Sequence, residues 1–184
     1  QKQAKNIFDP AASIELSWIE AFFNDPKYIE IYVEHIKSYI CHKSNNTPWD
    51  KLTHFVFSFH GLPTRQEKTT SPEYRSQCYE TAKLIANGLS LSSNQFSVAF
   101  QSRIGRGWMK PFTDETVTDL AKSGKKSLFV ISPSFICDCI ETIEELGIEL
   151  KDTFLENGGQ EFFLIPSLND SKPLAARLVE LTIS

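Results

Sequence analysis

The chain has 184 residues, enough for one domain of ordinary size with a small appendage. It is 41% hydrophobic and 23% charged, with eight Gly and nine Pro, a composition that supplies a core and excludes a long disordered tract. Net charge is −4; no Lys/Arg stripe interleaves with aromatics, which argues against nucleic acid, and no apolar run reaches the roughly 20 residues needed to cross a bilayer.

The chain opens on Gln1, as a fragment or processed product would, with no signal-peptide pattern behind it. Two helices are expected within residues 13–42, forming a hairpin. Ser13 suits the cap of the first, and Pro26 the first turn of the second. In that second helix Tyr28, Tyr32, His35, Ile36, Tyr39 and Ile40 share one face. A polar connection, residues 43–50, follows.

From there strands and helices alternate. Strand 52–59 is rich in aromatic and β-branched residues and stops at His60-Gly61-Leu62-Pro63. Helix 72–89, strand 95–101, helix 113–123, strand 126–131 and helix 135–147 come next. Residues 149–157 continue helically, strand 161–165 follows, and a helix over 172–182 closes the chain. Gly88, Gly124, Gly147 and Gly158-Gly159 fall where helices end. Four strands joined by helices predict a four-stranded parallel sheet flanked by helices, a Rossmann-like or flavodoxin-like α/β fold. The division is residues 1–50 as N-terminal helical segment and connection, and residues 51–184 as the α/β domain.

Four loops at the carboxyl ends of the strands define one rim, the place where open α/β sheets keep their ligands. They begin at His60, Gln101, Ser132 and Pro166. His60 is the most informative, because an imidazole exchanges protons, or binds a metal when neutral, near pH 7. On helix 135–147, Ile136, Cys139, Ile140 and Ile143 suit a buried face, and Asp138, Glu141 and Glu145 line the opposite one. Three crowded carboxylates could pass protons or hard cations along a stripe, or form a solvated acidic face. His60 and a carboxylate facing one cleft could together ligate a divalent metal or remove protons.

Arg103 and Arg106 are candidates to neutralise an anionic ligand. The surrounding glycines form neither a dinucleotide fingerprint nor a Walker loop. Trp108 is either ordinary packing or a platform for a flat ligand. His35, His42 and His54 read as surface or core histidines. Cys41, Cys78, Cys137 and Cys139 lack zinc-type spacing and read as buried, reduced thiols of a cytoplasmic protein.

Taken in order, these motifs resemble the ferrochelatase family, in its bacterial branch. They are Phe57-Ser58-Phe59-His60-Gly61-Leu62-Pro63, then Phe100-Gln101-Ser102-Arg103-Ile104-Gly105 with Trp108, Pro111 and Thr113-Asp114-Glu115. Pro133-Ser134-Phe135 through Asp138-Cys139-Ile140-Glu141-Thr142-Ile143-Glu144-Glu145 follows, and Ile165-Pro166-Ser167-Leu168-Asn169 ends the series. The resemblance covers residues 20–184 and matches the C-terminal half of the family's usual length. It departs at Lys68–Pro72, which lacks the Gly-Asp often found there, and in a shorter Gly105–Trp108 segment.

The resemblance implies insertion of Fe²⁺ into protoporphyrin IX to make protohaem. His60 and Glu141 would bind the metal and remove pyrrole protons, and Asp138 and Glu145 would extend a proton and metal path. Leu62, Pro63, Ser102 and Trp108 would contact the porphyrin. Fe²⁺ would be substrate, with no tightly bound cofactor and, lacking cysteines after Cys139, no C-terminal iron–sulfur cluster. The N-terminal half of the enzyme would be the missing partner, with a cytoplasmic location and peripheral membrane contact of the complete enzyme. Metallation needs a base beside a flat macrocycle, and binding energy supplies the strain that bends the ring. Two alternatives remain at this level. One is a chelatase for another metal or tetrapyrrole, such as cobalt. The other is a non-catalytic α/β binding module.

Overall fold

Of the eight residues of β1 (Thr53–His60), only the last is not buried, because this strand runs through the middle of the sheet. In the computed structural model, which describes residues 18–43, 53–70 and 72–183, four strands pair in the order β2-β1-β3-β4 and every pairing is parallel. The others are β2 (Phe96–Gln101), β3 (Ser127–Ile131) and β4 (Glu161–Leu164). An all-parallel sheet is covered on both faces, which explains the unbroken burial of Thr53–Phe59 in β1.

Strand periodicity divides the core in two. Phe55, Phe57 and Phe59 face a cluster completed by α1 (Pro26–Lys43), α3 (Pro72–Gly88) and Leu174 of α6 (Lys172–Ile183). Val56 faces the other cluster, built from Val117 and Ala121 of α4 (Thr113–Lys122), with Leu146, Leu150 and Phe154. His60 has the parity of Val56 and Ser58, so the strand aims it toward the layer that carries Leu146.

α1 buries Tyr28, Ile29, Tyr32, Val33, Ile36 and Ile40, largely the face expected from its spacing. Asp25 Oδ1 accepts from the Tyr28 N–H at 3.0 Å and caps it, and Arg177 of α6 binds the same carboxylate. α1 and α3 approach closely at Gly88, where a Cβ would stand 2.5 Å from Val33 Cγ2.

Several expectations are corrected. Residues 18–25 are not helical, so among the described residues only α1 of the expected hairpin is present; residues 13–17, with Ser13, and most of the 43–50 connection lie outside the described residues. A short helix, α2 (Thr64–Thr70), follows β1. The helix expected from Phe135 begins later: residues 135–139 are irregular, and Glu141–Glu149 forms a π-helix that runs on into α5 (Leu150–Glu156). Gly147 lies within it, not at its end.

The π-helix overturns the facial argument. Ile140 and Ile143 are 71% and 56% exposed, whereas Thr142 and Leu146 are buried. Wider turns, bonding residue i to i+5 as in Leu150 N–H to Glu145 O, change which side chains share a face. The thiol expectation also changes: Cys78 is buried, but Cys41 and Cys137 are exposed. Among the described residues no helix is long and apolar enough to cross a membrane.

Candidate active site

His60 is the last residue of β1 and is paired with Gln101, the last residue of β2. Its Nδ1 lies 2.7 Å from the Gly61 carbonyl oxygen. A carbonyl only accepts, so Nδ1 carries a proton, and whenever the ring is neutral its lone pair is at Nε2. The Tyr74 hydroxyl donates to the His60 carbonyl at 2.8 Å, fixing the main chain beneath the ring. Trp108 and Phe135 flank the imidazole, with ring centroids at 6.4 and 6.3 Å.

Two crossing loops bring Leu62, Pro63 and Trp108 beside His60. Pro63 bridges to Trp108, Met109 N–H donates to Leu62 O at 2.9 Å, and Thr64 N–H donates to Gly107 O at 2.7 Å. Gly105 and Gly107 adopt φ of 78° and 84°, which suits glycine. The Trp108 indole donates to Ile104 O at 2.7 Å, so its polar edge is turned into the loop. Leu62, Pro63 and Trp108 are all half-buried.

Glu141 opens the π-helix and is likewise half-buried. Its carboxyl is held below the usual carboxylate range by a hydrogen bond from the Cys139 thiol, then by its own main-chain N–H, with the charge of His60 adding to both. His60 pairs with Gln101 along the strands, and the Gln101 side chain donates to the Glu141 main-chain oxygen, so both residues belong to the same rim. Such a pair can take a proton at Nε2 and offer an anionic oxygen to a cation. Among the described residues no three His, Cys, Asp or Glu side chains gather into a metal cage.

Asp138, Glu141 and Glu145 do not form the expected stripe of one helix, because Asp138 precedes it. Asp138 precedes the helix and clamps the loop after β4, accepting from Ser167 N–H at 3.0 Å, Asn169 Nδ2 at 2.7 Å and Thr142 Oγ1 at 3.2 Å. Glu145 is gripped by Ser102, whose N–H and hydroxyl donate to Oε1 and Oε2 at 2.6 and 2.8 Å. Ser102 adopts φ of 61°, a strained conformation for a non-glycine residue, and directs both donors to that carboxylate. Beside them is a cavity of about 220 Å³ lined by Gln101, Ser102, Arg103, Asp114, Glu145 and Glu149 among others.

Arg103 is already engaged, bonding Asp114 and Glu115 and stacking 4.2 Å above the Phe112 ring. Arg106 is exposed. Sequence reasoning gave Tyr74 no place at the site, and placed Gln101 and Phe135 on the rim without assigning them a role. Gln101 closes β2 level with His60, a position the sequence places on the rim without marking its amide as an anchor.

A ferrochelatase family model matches residues 1–184. The chain belongs to the ferrochelatase family. It is 40% identical over 171 residues to a ferrochelatase of Bdellovibrio bacteriovorus, covering 83% of this chain and 49% of the relative. It is 41% identical over 169 residues to that of Brucella anthropi (91% and 45%), and 36% over 191 residues to that of Pseudomonas aeruginosa (92% and 54%). The chain thus spans about half the length of the curated ferrochelatases it matches.

Proposed function

We propose that this chain is the catalytic half of a ferrochelatase, which inserts Fe²⁺ into protoporphyrin IX to make protohaem, the last step of haem biosynthesis. Residues 51–184 form the chelatase domain, entered through residues 1–50, and the N-terminal half found in the longer relatives completes the cleft. The observation that carries the reading is the shared anchor of His60 and Glu141: one pairs with Gln101 along the strands, and the main chain of the other accepts from the Gln101 side chain.

In this reading His60 Nε2 accepts a pyrrole proton as Fe²⁺ enters, and Glu141 offers an oxygen to the metal or to the next proton. Leu62, Pro63 and Trp108 line the wall against which the macrocycle lies. Glu145 continues the proton and metal route from Glu141. Asp138 lies on the flank of that route, and its bonds to Ser167 and Asn169 support a holding role. Both donors of Ser102 go to Glu145, which supports a place behind the wall in preference to porphyrin contact. Fe²⁺ is substrate, and the reading requires no resident cofactor and no iron–sulfur cluster. The complete enzyme is cytoplasmic with peripheral membrane contact.

The test is anaerobic metallation of protoporphyrin IX by this chain, alone and joined to the N-terminal half of the Bdellovibrio relative, followed by loss of porphyrin fluorescence. Turnover with Fe²⁺ in the joined protein supports the proposal. Porphyrin binding without metallation, or turnover with Co²⁺ and none with Fe²⁺, overturns it.

A further inference from the structure

We infer that Gln101 is a positioning residue that fixes Glu141 relative to His60. The inference deepens the chelatase reading and rests on it. Gln101 is 2% exposed at the end of β2. Its Oε1 accepts from Ser58 Oγ at 2.6 Å and Ser132 Oγ at 3.0 Å, and its Nε2 donates to the main-chain oxygen of Glu141 at 3.0 Å.

The orientation of this amide is forced. Flipped, its oxygen would oppose the Glu141 carbonyl, acceptor against acceptor. The hydroxyls agree with the unflipped form. Ser58 gives its one proton to Gln101, so Thr113 Oγ1, 2.9 Å away, must donate to Ser58. Ser58, Thr113 and Ser132 are all buried, and they bring β1, α4 and the end of β3 to the same amide. Ser132 Oγ also lies 3.0 Å from the Ser58 carbonyl, so its proton can serve either oxygen, while the Ser58 and Glu141 bonds hold the amide; breaking a member of such a buried network leaves polar atoms unpaired.

Both partners of the site are therefore measured from one residue. His60 is placed by its backbone pairing with Gln101, and Glu141 by the Gln101 side chain. Ser102 adds a second grip four residues further along, at Glu145. The need is plain, since Glu141 starts a π-helix, which is an uncommon form inside a helix and is found mostly as short pieces. With its first carbonyl anchored to the sheet, the pair keeps its spacing.

Gln101→Glu tests this. It conserves shape and keeps an acceptor for Ser58 and Ser132, but turns an oxygen toward the Glu141 carbonyl. Gln101→Met, of similar volume and without a donor, covers the case in which the charged variant fails to fold. In the joined enzyme either variant should lower kcat about ten-fold or more, with KM for porphyrin within about two-fold, as misplacement of a reacting group does. In this chain alone, amide exchange should accelerate about ten-fold or more across Glu141–Glu149 and stay unchanged in β1 and β3. Wild-type kcat in either folded variant, or a loss confined to KM, overturns the inference, as does unchanged exchange across Glu141–Glu149. A wild-type protein that does not metallate porphyrin defeats the chelatase reading and leaves the exchange experiment to decide the positioning of Glu141.

Discussion

The two ends of the parallel sheet bury polar side chains in different ways. At the carboxyl end, Ser58, Gln101, Thr113 and Ser132 satisfy one another and reach out to Glu141. At the amino end, His54 is 4% exposed and its Nε2 meets Ser97 Oγ at 2.8 Å, but its Nδ1 has no partner among the described residues. Both sets lie on the same face of β1, two or more residues apart in a strand of constant parity. The comparison separates burial that organises a site from burial that merely costs stability.

The sharpest break of the comparison is at the organised end. His60→Ala should reduce porphyrin metallation by the joined enzyme by about 10²-fold or more, and Glu141→Gln by a similar order. Fluorescence-monitored turnover checks both, and near-normal rates in either would detach the site from the chemistry.

At the amino end the expected effect is on folding. Burial, reinforced by the charge of Lys125, lowers the His54 pKa from 6.5 to about 4. Between those values the unfolded chain binds more protons than the folded one, so stability rises with pH through this window and is lost as pH falls from 6.5 toward 4. The full term is up to about 3 kcal/mol. Urea unfolding from pH 7 to pH 4.5 should reveal the slope, and His54→Phe should flatten it. A variant with an unchanged slope would assign the acid sensitivity elsewhere.

Asp138 sharpens the contrast from the flank. Burial alone would raise its pKa, but hydrogen bonds from Asn169, Ser167 and Thr142 outweigh that and hold it below the ordinary value. Its contribution is present above the unfolded carboxyl pKa and lost as pH falls through the lowered one. Asp138→Ala should cost about 1–3 kcal/mol in urea unfolding by freeing those donors. A metallation defect without destabilisation would return Asp138 to the metal path. The smallest effect belongs to Glu144→Gln: the side chain is exposed, so turnover should stay within about two-fold. A loss equal to that of Glu141→Gln would contradict the assignment of Glu141.

How much was legible in the sequence follows from which physical signal each element carries. The four strands announce themselves by apolar content, and their alternation with helices dictates parallel pairing. α2 escapes because Thr64-Arg65-Gln66-Glu67-Lys68-Thr69-Thr70 contains no apolar residue and hence no period. Its start rests on main-chain bonds from Gln66 and Glu67 to Pro63 O. The π-helix defeats a 3.6-residue reading: Ile140 and Ile143 fit that period but turn to solvent, whereas Thr142, Leu146 and Leu150 turn inward at intervals of four. Asp138 was assigned to a helix it precedes, because Ser132-Pro133-Ser134 holds the chain in a turn before helix formation begins. His60 and Glu141 are proposed from residue type at a strand end and from the family motif. Gln101 was hidden because a buried amide acts through partners that no spacing rule brings together.

The bond from the His60 ring to Gly61 O leaves one nitrogen open, so the side chain can hold a single hydrogen ion at a time on its outward edge. A free-base macrocycle surrenders two. On the chelatase reading the second must pass to another acceptor, the Glu141 carboxylate or solvent, unless the imidazole is first unloaded, so one cycle draws on more than this single ring nitrogen.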